Sequence, residues 1–195
     1  MTTLHAVFLD RDGVINRKAP EGEFVHRWEE FHLLPSVPQA IVRLNRAGIA
    51  VLVVSNQRGI ALGLYTLQDV AAIHDRLQHE LGGFGARIDG YYICPHDRQD
   101  CNCRKPRSGL FAQALAEFPE ITASASAMVG DSLSDIEFGR NLGMFTIFIE
   151  NDSEIRTEDA ATARTLADMC CRSLTDAVDI LLAAFPAQSG LDHGI

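Results

Sequence analysis

Four aspartates sit where an acidic side chain could do chemistry. Asp10 and Asp12 follow an apolar run in FLDRDGVIN, and Asp131 and Asp135 lie in MVGDSLSD. An acidic pair followed by glycine at a strand end places two carboxylates on a tight turn. Taken alone, that pair also reads as an Asx-type turn. The second segment tips the balance: another apolar run ends in Gly130-Asp131, with Asp135 one helical turn later. Three or four carboxylates gathered at one edge repel one another unless a cation joins them. Magnesium suits such a set, because it takes oxygen ligands, keeps several waters and binds a few carboxylates together with a phosphate. With that cation present, Asp10 could approach an anionic phosphoryl group, and charge on the transferring oxygens would be stabilised. Ser55 could donate a hydrogen bond to such a group and Lys105 could neutralise it. Each of these two, read in isolation, is an ordinary turn serine and a solvated lysine.

A second constellation has softer chemistry. Cys94, His96, Cys101 and Cys103 supply four ligands within one short segment, CPHDRQDCNC. Their type and number match a closed, tetrahedral Cys₃His structural zinc site, which leaves no position open for a catalytic water. Arg104, Lys105 and Arg107 follow the last ligand, so a rigid loop would hold these cations above the carboxylates. Cys170 and Cys171 read as buried packing residues. His5, His26, His32, His74 and His79 read as solvated or half-buried.

These groups need a scaffold. Short β-branched runs alternate with helix-like segments, the pattern of a parallel sheet with crossover helices. Strands are expected over residues 4–9, 50–54, 88–93, 126–129 and 145–149, with a sixth at an edge over 169–172. Ser36 as N-cap, with Pro38 in the first turn, opens a helix that Gly48 ends. Thr66 caps the next, which Gly82-Gly83 stop. Further helices are expected over 110–118, 133–142 and 175–184. Ligands of such sheets sit beyond the carboxyl ends of the strands. The residues leaving those ends are Asp10 and Asp12, Ser55 and Asn56, Cys94 and His96, and Gly130 and Asp131. The expectation is one doubly wound α/β domain over residues 1–185 and a disordered tail over 186–195.

Bulk properties narrow the partners. The chain has 195 residues and a formal net charge of −9. A duplex-binding protein needs a broad basic face, so nucleic acid is not expected, and a phosphate-bearing ligand should be small and met by local cations. No apolar run approaches the roughly 18 residues of a membrane span. The N-terminus lacks a signal-peptide pattern. A cytoplasmic monomer is the expectation.

At this point the residues meet a family. FLDRDGVIN, VVSNQ, CRKP and MVGDSLSD resemble, in order and spacing, the four signatures of haloacid-dehalogenase-type phosphatases, covering the chain from about Val7 to Asp176. The resemblance implies a Rossmann-like sheet with a small zinc-bound loop in place of a large cap. It implies that Asp10 is the nucleophile, forming an aspartyl phosphate, and that Asp12 is the general acid and base. Asp10 and Asp131 would hold magnesium through their side chains, the Asp12 backbone carbonyl would assist, and Asp135 would support the site. Ser55 and Lys105 would clamp the phosphoryl group. The second aspartate favours phosphatase over dehalogenase chemistry, since an alkoxide leaving group needs a proton.

The zinc loop and SNQRGIALG resemble a narrower group, the bacterial D-glycero-D-manno-heptose-1,7-bisphosphate 7-phosphatases and the related histidinol-phosphate phosphatases. Arg58, Leu62 and Ser132 depart from the heptose pattern. The short zinc loop looks more like the histidinol-phosphate group. A sugar bisphosphate is the expected substrate: Asn56, Arg58 and Arg104 would contact it, and the second phosphate would be gripped by cations drawn from Arg17, Lys18, Arg58, Arg104 and Arg107. Histidinol phosphate is the alternative substrate. A non-catalytic zinc-stabilised binding module is the alternative of another class; it predicts the loss of at least one carboxylate, and none is missing.

Overall fold

A computed structural model describes residues 3–20, 22–98, 101–150 and 158–186. Six strands form one parallel sheet: β1 (Ala6–Leu9), β2 (Ala50–Asn56), β3 (Gly90–Cys94), β4 (Ser126–Gly130), β5 (Phe145–Ile149) and β6 (Met169–Cys171). Their spatial order is β3-β2-β1-β4-β5-β6. The order reverses at β1, which pairs with β2 on one side and β4 on the other. That reversal is the switch point where open α/β sheets place ligands. The three central strand ends therefore bring Asp10, Ser55 and Asp131 to one edge although they are far apart in sequence.

Both faces of the sheet are covered, which is why the strands are near-continuous apolar runs. Successive side chains alternate between faces. Val7, Leu9, Val51, Val53, Ala127 and Val129 pack against α1 (Val37–Arg46), α3 (Leu67–Gly83) and α7 (Leu174–Ala184). Ala6, Phe8, Leu52, Val54 and Met128 face the other way, onto α4 (Gly109–Glu117) and α5 (Leu133–Leu142). The described residues form two further α-helices, the one-turn α2 (Arg58–Ala61) and α6 (Glu158–Leu166). Neither was expected from the sequence. The first is a single turn, and the second buries only Ala163, so no apolar stripe announces it.

Several local readings are corrected. Ser36 precedes α1 but does not cap it: its backbone is left-handed (φ 63°) and its side chain makes no capping bond. Thr66 does cap α3, in a reciprocal arrangement with Asp69. Gly82 and Gly83 lie inside the last turn of that helix, and the chain turns at Gly85 (φ 73°). The third strand starts at Gly90 rather than at residue 88, because the Asp89 carboxylate accepts the Val51 N–H at 2.8 Å in place of a ladder carbonyl. Cys170 is exposed and Cys171 only half-buried, since the strand that carries them is the sheet edge. His74 is buried: it stacks on Tyr91 (centroids 4.3 Å apart), and burial lowers its pKa to about 3. No described helix is long and apolar enough to cross a membrane. Apart from Pro186, the expected tail lies outside the described residues.

Candidate active site

The turn after β1 builds the floor of the site. Asp10 N–H donates to the Val129 carbonyl (3.0 Å), which ties the turn to β4. Lys105 reaches in from the opposite loop, and its Nζ lies 2.8 Å from Asp10 Oδ1, 2.6 Å from Asp135 Oδ1 and 2.6 Å from the Val54 carbonyl. Its side chain is only 1% exposed, so this cation is built into the fold. Burial alone would lower the Lys105 pKa, but Asp10 and Asp135 raise it above the usual lysine value. Asp10 moves the other way from an ordinary carboxylate. Burial, joined by repulsion from Asp135, Asp131 and Asp12, outweighs Lys105 and pushes it up to about 7. Burial likewise raises Asp131, against the pull of Lys18, whose Nζ stands 2.8 Å from Asp131 Oδ2.

Gly130 lets the second acidic segment close on the first. A Cβ there would stand 2.2 Å from the Cβ of Asp135, so only glycine allows the start of α5 to fold over the strand end. Asp135 Oδ2 accepts from the Ser132 N–H (3.1 Å) and hydroxyl (2.6 Å), which fixes its orientation. One carboxylate oxygen from each of Asp10, Asp131 and Asp135 lies within 4.8 Å of the others. A hard divalent cation that prefers oxygen fits this donor set.

Asp12 belongs to a different network. It accepts from Arg11 Nε and Nη2 (both 3.1 Å), from Asn16 Nδ2 (2.9 Å) and from Gln57 Nε2 (3.3 Å). Gln57 also donates to Ser55 Oγ (2.8 Å) and accepts from the Tyr65 hydroxyl (2.8 Å). With Gln57 donating to it, the Ser55 oxygen keeps its own hydrogen for another acceptor. Sequence reasoning missed the supporting roles of Arg11, Asn16 and Gln57. All three lie within the motifs already singled out, and that proximity was the available signal. For Arg11 the charge pattern pointed the other way. A cation between two aspartates looks solvated, yet the fold buries it to 1% exposure and gives it the Val25 carbonyl at 3.0 Å.

A cavity of about 340 Å³ opens over these groups, lined by Asp10, Asp12, Ser55, Asn56, Arg104, Lys105, Asp131 and Asp135 among others. The expected substrate contacts fare differently. Arg104 lines the cavity, and its buried Nη1 has no hydrogen-bond partner among the described residues. Asn56 also lines it, but its amide is engaged: it donates to the Lys105 carbonyl (3.2 Å) and accepts the Lys105 N–H (3.0 Å). Asn56 thus positions Lys105. Arg58 does not line the cavity; it pairs with Asp97 at 2.6 Å. Arg107 donates to the Cys101 carbonyl at 2.6 Å. These two arginines brace the cysteine–histidine loop. Arg17 lines a neighbouring cavity of about 640 Å³.

The four soft ligands converge. Cys103 Sγ lies 3.2 Å from both Cys94 Sγ and His96 Nδ1, Cys94 Sγ lies 3.5 Å from Cys101 Sγ and 3.8 Å from His96 Nδ1. Tetrahedral zinc with ordinary Zn–S and Zn–N bonds has ligand–ligand edges of roughly 3.5–3.8 Å, and these four atoms lie within a few tenths of an ångström of that spacing, so the set fits that ion. Burial raises the Cys103 thiol to about 12. At Cys101 the effect of burial is outweighed by hydrogen bonds, chiefly from the Arg104 N–H, and the thiol falls to about 6.

Comparison with known proteins agrees with this arrangement. The HAD-hydrolase-like family profile matches residues 102–177. The chain is 44% identical over 137 residues to the D-glycero-alpha-D-manno-heptose-1,7-bisphosphate 7-phosphatase of Mycobacterium tuberculosis, covering 70% of this chain and 72% of that protein. It is 34% identical over 183 residues to the D-glycero-beta-D-manno-heptose-1,7-bisphosphate 7-phosphatase of Haemophilus ducreyi, covering 89% and 96%. Among solved structures, the D,D-heptose 1,7-bisphosphate phosphatase of B. bronchiseptica, complexed with magnesium and phosphate, superposes with a TM-score of 0.79. It is 29% identical, and the match covers 93% of this chain and 99% of that one.

Proposed function

The chain belongs to the haloacid-dehalogenase-type phosphatases, and from that premise we propose that residues 1–185 form one catalytic unit that removes the 7-phosphate from D-glycero-D-manno-heptose 1,7-bisphosphate. The observation that carries this reading is the cavity floor: a half-buried Asp10 held by the buried Lys105, with Asp131 and Asp135 beside it and an Arg104 nitrogen that lacks a partner among the described residues. Asp10, Asp131 and Asp135 would hold a magnesium ion, which supplies charge neutralisation for the phosphoryl oxygens. Cys94, His96, Cys101 and Cys103 would hold zinc, which rigidifies the loop that presents Arg104 and Lys105.

The chain's own residues then divide the work. A carboxylate oxygen of Asp10 attacks phosphorus, forming an acyl phosphate as the P–O ester bond breaks. Asp12 gives its proton to the departing sugar oxygen. It then takes a proton from a water molecule, which attacks phosphorus and releases inorganic phosphate and the Asp10 carboxylate. The Ser55 hydroxyl and Lys105 orient the phosphoryl group. Arg104 meets an anionic part of the substrate with a charge-assisted hydrogen bond worth about 1.5–3 kcal/mol.

The test is kcat/KM on both anomers of the heptose bisphosphate, on histidinol phosphate and on simple sugar monophosphates. A clear preference for one heptose bisphosphate anomer is expected, with Asp10→Asn losing activity by several orders of magnitude. Equal or better turnover of histidinol phosphate would overturn the substrate assignment. Near-normal turnover by Asp10→Asn would overturn the covalent route.

A further inference from the structure

Two lysines compensate the three metal-site carboxylates, and they differ in kind. Lys105 is buried, makes three close contacts and cannot leave. Lys18 comes from the loop after β1, its side chain is 54% exposed, and its ammonium rests on Asp131 Oδ2 (2.8 Å) while the Asp131 side chain is only 2% exposed. It is an exposed cation on a buried carboxylate. Lys18 also lines both the catalytic cavity and the larger cavity beside it.

The charge balance decides what happens on metal binding. Uptake of a divalent ion requires all three carboxylates ionised; against Lys105 that form has two negative charges left, and Lys18 compensates one of them. A divalent ion together with Lys105 neutralises all three, so the attraction that holds Lys18 on Asp131 disappears. Two cations on one carboxylate would also repel each other at close range. We infer that Lys18 is a placeholder at the metal site: it exchanges with the divalent cation at Asp131, and the displaced ammonium then binds the anionic group of the substrate that lies beyond the transferred phosphoryl. This second step rests on the phosphatase reading above. The side chain is long enough to turn from Asp131 into the adjoining cavity, which shares the Lys18 wall. Glu23 lies on the same wall; Glu29 and Glu30 also line the adjoining cavity, the latter paired with Arg27. A phosphate, carrying close to two charges and three acceptor oxygens, competes well for the ammonium against the exposed carboxylates of Glu23 and Glu29.

The exchange is measured without turnover, by calorimetric titration of magnesium into protein dialysed free of that ion. Lys18→Met is expected to bind magnesium roughly three- to tenfold more tightly than the parent, since a competing charged contact is gone. Arg17→Met removes the same charge from the next residue, which is exposed and does not touch Asp131, and its affinity should be unchanged. Unchanged affinity in Lys18→Met, or an equal gain in Arg17→Met, would overturn the exchange. The second step is read at saturating magnesium as the ratio of kcat/KM for heptose 1,7-bisphosphate to that for heptose 7-phosphate. This ratio should fall about tenfold in Lys18→Met, the loss of one charged contact, and recover in Lys18→Arg. A ratio unmoved by Lys18→Met would overturn the substrate contact. If the parent hydrolysed no phosphate ester at all, the functional reading would fail, while the exchange would still stand or fall by calorimetry.

Discussion

Asp10 and Asp12 are two residues apart and live in different environments. Asp10 is half-enclosed against Lys105 and pushed up to about 7 by burial and by its acidic neighbours. Asp12 is held by neutral and cationic donors from Arg11, Asn16 and Gln57, 24% exposed on the cavity side. The division fits one carboxylate that meets phosphorus and another that handles protons. Asp12→Asn keeps the shape but cannot protonate a leaving oxygen, and general acid catalysis is worth roughly 10²–10⁴-fold. The loss should therefore be large on a sugar phosphate and much smaller on an aryl phosphate whose leaving group needs no proton. Equal losses on the two substrates would remove Asp12 from that role.

At the scale of elements, the loop between β3 and α4 controls the site from outside it. Its backbone is gripped at Lys105 by the Asn56 amide and at Cys101 by Arg107, and the Asp97 carboxylate is held by Arg58. The cysteine–histidine cluster joins the two halves of this loop. Elemental analysis should find about one zinc per chain. Cys101→Ser should weaken zinc retention and lower the thermal midpoint, and it should cut kcat/KM through the misplacement of Arg104 and Lys105. Protein purified without chelators and found free of zinc would refute the assignment.

For the molecule as a whole, the acidic edge makes stability depend on pH and metal together. Asp10 has a folded-state pKa near 7 against 3.8 as an isolated carboxylate. Between those values the folded chain binds more protons than the unfolded one, so without magnesium this group lowers stability as pH rises through that window. Magnesium binds the ionised form and competes with the proton. The rise in thermal midpoint on adding magnesium should therefore be larger at pH 8 than at pH 5. A metal effect that shrank with rising pH would show that Asp10 is not among the ligands.

The order of elements, the four motifs and the gathering of the two side-chain clusters were legible in the sequence because each rests on local patterning. Apolar alternation writes strands, carboxylates after strands write an acidic edge, and three cysteines and a histidine in one short segment write a compact cluster. One-turn α2 and the weakly apolar α6 left no such pattern, and the edge position of β6 exposed Cys170 for a reason its neighbours in sequence do not contain. Side-chain partnership was decided only by the tertiary structure. Arg58, beside a motif, turned to Asp97, whereas Lys18, expected among the cations for a second phosphate, reached Asp131. Arg11, flanked by acids, was buried under the Val25 carbonyl. A cation's sequence neighbours say which charges lie near it along the chain. Which carboxylate it meets, and whether water can reach the pair, depends on how distant segments close over it.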